Sequence, residues 1–278
     1  MMQAGLQPKD LPDLTDADYL DLEIDSAEGQ RIRQLIRRGA NLTFELEKYE
    51  NLGISVVTRA DKQYPSILKT RLGKSCPPLF YYAGDLSLAA KQSIGFVGSR
   101  GADEGDQAFT EQIVNTVNGL NYSVVSGGAK GVDSIAGDAS LRNEHTSVAY
   151  LADSMVKRIR NRETIAAIQC GKLLLLSAVR PDMGFTAATA MMRNRYIYAQ
   201  SAGAVIVRAD YKKGGTWTGA VDCIKHKICP AFCWNNQEYR GNRELIQLGA
   251  VPIDADWDGD VTNVPPPAEE EVQLTLFG

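Results

Sequence analysis

Histidine occurs only twice in this chain of 278 residues, at His145 and His226, and neither stands beside a serine or cysteine as a nucleophile would require. Metal-ligand spacing is missing as well. Cys229 and Cys233 form only a CxxxC pair, and Cys76, Cys170 and Cys223 stand apart from them. Five cysteines without framework spacing exclude a disulfide scaffold and suit reduced, buried thiols, the state expected in the cytoplasm. No apolar run reaches the roughly 18 residues that a membrane span needs. The polar and acidic first residues also lack the apolar stretch of a signal peptide. An excess of either charge is missing: the formal net charge is −4, so any polyanion site must be a local basic patch. Two nucleotide fingerprints are absent. GxxxxGK[ST] does not occur, and the first glycine turn reads Gly95-x-x-Gly98-x-x-Gly101 instead of GxGxxG. Ser126, not an acidic residue, closes the following apolar stretch. These absences predict no catalytic set, no metal and no cofactor.

The residues that are present alternate in period. From Ile94 onward, short apolar runs ("IGFVG", "YSVVS", "TSVAYLA", "KLLLLSAV", "GAVIVRA", "ICPAFC") are separated by stretches of helical pattern. The helices are expected at 104–119, from 132, at 155–169, 186–200, 217–226 and 242–248. Continuous apolar strands between helices belong to a parallel sheet covered on both faces. The expected fold class is therefore α/β, a doubly wound, mostly parallel, extended Rossmann-like sheet. A small N-terminal helical region precedes it and a disordered C-terminal tail follows it. The expected division is 1–56 for the leader and helical region, 57–253 for the sheet domain and 254–278 for the acidic tail. In the first part, "GQRIRQLIRRGANL" puts Ile32, Leu35 and Ile36 on one helical face. Arg31, Arg33, Arg37 and Arg38 take the rest, a solvated face or a DNA-backbone contact, with Gly39 as a stop.

Three glycine loops follow predicted strands, where doubly wound sheets bind ligands. Gly98-Ser99-Arg100-Gly101 offers amides, a hydroxyl and a guanidinium fork. Ser126-Gly127-Gly128-Ala129-Lys130-Gly131 leads into a helix, so its amides and Lys130 make an anion cradle. Lys212-Lys213-Gly214-Gly215-Thr216 does the same further on. A single such loop is ordinary turn chemistry, whereas three at one sheet edge point to an anionic ligand. Arg193-Asn194-Arg195 on the 186–200 helix adds two arginines flanking an amide, a set suited to phosphates and bases. Lys157, Arg158, Arg160 and Arg162 are solvated surface or an extension of that track. Tyr196, Tyr198, Tyr211 and Trp217 are available for base stacking, with core packing as the alternative. Asp133 is a candidate general base, loop brace or helix cap.

These motifs together resemble the DNA-processing protein A family, also called Smf. The stretches that carry the resemblance are "ADKQYPSILKTRLGKSCPPLFYYAGD", "IGFVGSR", "SGGAKGVDSIAGDASL", "RNRYIYAQSAGAVIV" and "GGTWTGA", between about Val57 and Ile253. The resemblance implies a non-catalytic, single-stranded DNA-binding protein of recombination and DNA uptake (transformation). Such a protein acts as a homodimer that loads a RecA-type recombinase. It also implies DNA or phosphate contacts at Ser99, Arg100, Gly127, Lys130, Gly131, Arg193, Asn194 and Arg195, to which the loops add Gly128, Gly214, Gly215 and Thr216. Departures from the family pattern include Gly137 in place of a histidine, Pro230-Ala231 in place of Pro-Gly, Asp103 to Asp106 in place of a Tyr-Gly pair, and an acidic tail where many members are expected to carry a winged-helix domain. The alternative is a nucleotide-binding or nucleotide-cleaving enzyme or sensor. "KKGGTWTGAVD" keeps the glycines and threonine of such enzymes but lacks their glutamate.

The chain closes on "EEEVQLTLFG". Gln273-Leu274-Thr275-Leu276-Phe277 resembles the short peptide that docks replication and repair proteins on the sliding clamp. Leu276 and Phe277 would enter an apolar groove, the Gln273 amide would bond at its edge, and Leu274 belongs to the same motif; the alternative is a tail that folds back as an edge strand on its own domain.

Overall fold

The computed structural model describes residues 8–262, so the terminal peptide at 273–277 lies outside the described residues. The chain divides into two units between Gly53 and Ile54.

The first unit carries helices α1 (Asp16–Asp21), α2 (Ser26–Arg37) and α3 (Gly39–Glu50). Thr15 and Asp18 close a capping box at the start of α1, and Asp25 caps α2 by accepting from the Glu28 amide. Arg33 pairs with Asp16 and lies 5.2 Å from the centroid of the buried Tyr19 ring, so one of the four arginines is used inside the unit. Gly39 does not end a helix as expected. The break falls at Arg38, and Gly39 begins α3.

The second unit is built on nine strands among the described residues. In chain order its elements are β1 (Ser55–Thr58), α4 (Ser66–Leu72), β2 (Leu79–Ala83), β3 (Ser93–Val97) and α5 (Glu104–Gly119). Then come β4 (Ser123–Ser126), α6 (Val132–Arg142), β5 (Ser147–Tyr150), α7 (Met155–Arg158), α8 (Arg162–Gln169) and β6 (Leu173–Ser177). The last are α9 (Ala187–Gln200), β7 (Gly203–Ile206), α10 (Gly214–His226), β8 (Ala231–Trp234), α11 (Arg240–Gln247) and β9 (Val251–Ile253). The strand order is β1-β2-β6-β5-β4-β3-β7-β8-β9, antiparallel at β1–β2 and β2–β6 and parallel elsewhere. Strands β3 to β7 are buried along their whole length, which is why they read as unbroken apolar runs. Two apolar clusters form, one containing Val125, Val148, Leu174 and Ile206 and the other containing Ile94, Phe96, Val124 and Val205. Neighbouring residues of one strand fall in different clusters, the period-two signature of a sheet covered on both faces.

The single helix expected at 155–169 is two. Asn161 accepts from the Thr164 amide and so caps α8, just as Ser154 caps α7. Strand β9 was not anticipated. Pro252 cannot donate to a ladder, which is tolerated at the edge position β9 occupies. The parallel part of the sheet starts at β3, winds outward through β4, β5 and β6, then returns to β7 on the other side of β3. The β3–β7 boundary is the switch point, and the crevice beyond its carboxyl ends is where such sheets hold ligands.

Candidate functional site

A cleft of about 530 Å³ opens at this switch point. Its walls are the loop after β3 (Gly98 to Gly101), the segment after β7 with the first turn of α10, and the amino-terminal half of α9. The loops are packed backbone on backbone. Gly131 has φ 90°, and a Cβ there would lie 2.2 Å from the Ser99 carbonyl oxygen. The Val132 amide donates to that oxygen at 3.2 Å, and Thr216 Oγ1 donates to the Gly98 carbonyl at 3.0 Å. The middle loop, the one after β3, is thus held from both sides.

Beneath the cleft lies a buried ion pair. Arg193 Nη1 donates to Asp133 Oδ2 at 2.9 Å, with side-chain exposures of 7% and 10%. Gly127 makes room for it, since a Cβ there would lie 0.6 Å from Arg193 Nη1. Burial pushes the Asp133 carboxyl up. Arg193 and the amides of Ala129 and Gly127, which donate to the carboxylate, pull it back. The expected anion cradle of the second loop therefore already points amides at an anion of the protein itself. Asp133 braces this loop, and a group so engaged is not placed as a general base.

Asn194 Nδ2 donates to the Gly215 carbonyl at 3.0 Å, tying α9 to the first turn of α10. Arg195 turns away, its Nε 3.0 Å from Asp222 on α10, and it does not line the cleft. Of the residues singled out from sequence, Ser99, Arg100, Arg193, Asn194, Gly214, Gly215 and Thr216 line the cleft. Gly127 and Gly131 shape it from behind. Gly128 lines a separate cavity of about 340 Å³, where its carbonyl accepts from Arg158. Lys130 is exposed and outside the cleft lining.

The cations available to a ligand are Arg100 and Lys213, both exposed and without an ion pair to a carboxylate among the described residues. Lys213 is the N-cap of α10 and makes no side-chain cap bond, so the helix presents first-turn amides and its positive end to the cleft. Sequence reading missed Arg208, a charged residue just past a buried strand, which is itself a usable signal. Arg208 bonds Asp103 at 2.9 Å and Asp106 at 3.1 Å and lies 4.7 Å from the Tyr239 ring, which fixes it in the cleft wall. Phe185 was missed too. Half exposed, it carries the Arg100 guanidinium 4.3 Å from its ring centroid, and Met191 lines the cleft beside it. The tyrosines offered for stacking lie elsewhere: Tyr196 and Tyr198 are core residues, and Tyr211 packs edge-on against Trp217 at 5.1 Å.

The sequence profile of the family described as DNA recombination-mediator protein A matches residues 55–258. The chain is 27% identical over 213 residues to DNA processing protein DprA of Bacillus subtilis (strain 168), an alignment covering 75% of this chain and 71% of that protein. It is 27% identical over 259 residues to Protein Smf of Synechocystis sp. (strain ATCC 27184 / PCC 6803 / Kazusa), covering 83% of this chain and 64% of the relative. Among solved structures, DprA of Streptococcus pneumoniae superposes with a TM-score of 0.70 at 22% identity, over 82% of this chain and 79% of that one. DprA of Helicobacter pylori, solved to describe its single-stranded DNA binding mode, superposes with a TM-score of 0.59 at 25% identity, over 76% and 93%.

Proposed function

The chain belongs to the DNA recombination-mediator protein A family, and from that membership we propose that the β3–β7 cleft holds single-stranded DNA. One observation carries this reading: the Arg100 guanidinium lies 4.3 Å from the ring of the half-exposed Phe185 at the cleft mouth. A phosphate-binding fork lies over one face of an aromatic ring there, bringing together the two group types that single strands require. Lys213 and the first-turn amides of α10 receive the next phosphate. The structural study of the Helicobacter pylori relative, concerned with single-stranded DNA, agrees with this choice of ligand. Bases need not be read in sequence, since stacking accepts any base.

Fluorescence anisotropy with a labelled oligonucleotide tests the site. Replacing Arg100 and Lys213 together by Ala is expected to weaken binding by roughly tenfold or more at low salt. Phe185→Ala is expected to remove about 1–3 kcal/mol of stacking. Wild-type affinity in both variants would reject the site. Release of free base from nucleoside monophosphates incubated with the protein would favour the enzyme reading instead.

The rest of the proposal concerns partners. The DNA-bound protein acts as a homodimer that hands the strand to a RecA-type recombinase. Gln273, Leu274, Leu276 and Phe277 recruit it to a sliding clamp, a reading that rests on the sequence "QLTLF" alone. The functional division follows the same lines: 1–56, the DNA-holding domain 57–253, and a tail from 254 that bears the address. A clamp pull-down in which the Leu276→Ala/Phe277→Ala protein is retained like the wild type would refute the recruitment.

A further inference from the structure

Five reduced, buried thiols were expected, of which Cys170 is exposed and the other four are buried, and the one spacing visible in the sequence joined Cys229 to Cys233. The fold brings a different pair together. Cys223 lies in the last turn of α10, and the chain then reverses through Lys227 in the left-handed region, φ 50°. The Ile228 amide returns to the Cys223 carbonyl at 3.1 Å, which sets Cys229 directly against Cys223. Their sulfurs are 3.8 Å apart, and Cys223 Sγ also faces the Cys229 carbonyl at 3.4 Å. Cys233 is not part of this contact. Its Sγ points to the carbonyls of Trp234 and Asn242.

We propose that Cys223 and Cys229 are a modification site, a dithiol that a small hydroperoxide closes to an intramolecular disulfide. Both cysteines are buried, but Cys229 keeps 8% of its residue surface exposed and Cys223 none, so Cys229 is assigned the first encounter with peroxide. In the first step the Cys229 sulfur attacks one peroxide oxygen, the O–O bond breaks, and sulfenic acid and water form. In the second, the Cys223 sulfur attacks the sulfenic sulfur, the S–O bond breaks, and the departing hydroxide takes the Cys223 proton as a second water. Two thiols and one hydrogen peroxide thus give one disulfide and two waters. The polarity of the pair suits the second step, in which the Cys223 sulfur attacks, and the first step rests on the lesser burial of Cys229. The Cys229 thiol, hydrogen-bonded to Cys223, holds the Cys223 sulfur below the ordinary thiol range, and the same contact together with burial raises Cys229. The bridge joins the end of α10 to the segment entering β8, at the opposite end of α10 from the cleft.

The test treats the folded full-length protein with hydrogen peroxide, blocks remaining thiols with maleimide after denaturation, and maps them by peptide mass spectrometry. Labelling of Cys223 and Cys229 should fall together by about tenfold or more, with a peptide pair linked through these residues and restored by reductant. Cys233→Ser should leave the link in place. In Cys223→Ser, dimedone should trap sulfenic acid on Cys229. Unchanged labelling of both cysteines in the wild type, or a link made through Cys170 or Cys233, overturns the proposal without reference to any variant's stability.

Discussion

Arg193 shows how one side chain can matter to a binding site without touching the ligand through its charge. It is nine-tenths buried, its guanidinium occupies the place of a side chain at Gly127, and its charge is matched by Asp133. Removing one member of such a pair strands the other, at a cost of roughly 3–5 kcal/mol. Arg193→Ala should therefore lower stability by about that amount in urea unfolding at neutral pH, while Lys213→Ala should change stability by less than about 0.5 kcal/mol and weaken DNA binding. The penalty should also shrink on acidification. A carboxyl raised by burial stabilises the fold when protonated, and that contribution is present at low pH and lost as pH rises through its folded value. Comparing wild type and Arg193→Ala at pH 7 and pH 5 measures this; equal penalties would mean Asp133 is not the stranded group. The Arg-Asn-Arg run was legible as a segment that reaches the cleft, through Arg193 and Asn194. Its inner geometry was available too, since residues two apart on a helix lie about 200° apart, so Arg193 and Arg195 could not both face one cleft. What the sequence concealed was that Asp133 supplies the anion for its own loop, a contact across 60 residues.

Helix α5 illustrates the same limit for elements. Its boundaries were expected at 104–119 and are Glu104–Gly119, because Asp103 and Asp106 form a readable capping box. The use of that cap to hold Arg208 in the cleft wall was not readable, since Arg208 is 102 residues from Asp106. The Asp103 carboxyl is held below its ordinary range, chiefly by the Asp106 amide, with burial opposing and Arg208 helping. A lowered folded value means stability that is present above the unfolded carboxylate value, about 3.9, and is lost as pH falls through the folded one. Asp103→Asn keeps a capping side chain but discards the charge. It should therefore be less stable than wild type at neutral pH, with the difference vanishing in acid. A difference that persists unchanged at low pH would assign the effect to the cap alone. Elements misjudged from sequence share a cause. The 155–169 helix is split by Asn161 acting as a cap, α10 begins earlier so that its first turn includes Gly214 and Gly215, and Pro252 hid an edge strand. In each case a residue usually counted as a breaker is used at a boundary that only the packing defines.

For the molecule as a whole, the doubly wound sheet was legible because strands buried on both faces leave unbroken apolar runs between helical periods. The position of the cleft followed from topology, since the first and second glycine loops leave β3 and β4 and the third leaves β7 across the switch point. The identity of the ligand-facing groups did not follow. Of the cations in and around the three loops and the Arg-Asn-Arg helix, Arg193, Arg195 and Arg208 are paired with carboxylates and Lys130 and Lys212 lie outside the cleft lining, leaving Arg100 and Lys213 for the cleft. A net charge of −4 is compatible with polyanion binding only if such unpaired cations are local to the site.

The most direct test of the account is the salt dependence of single-stranded DNA binding, measured for the wild type and for Arg100→Ala/Lys213→Ala. Each phosphate neutralised on a single strand contributes roughly −0.7 to the log–log slope, so losing two cations should flatten it by about 1.4 and weaken binding at low salt. Wild-type affinity and wild-type slope in the double variant would contradict a DNA site at the β3–β7 cleft.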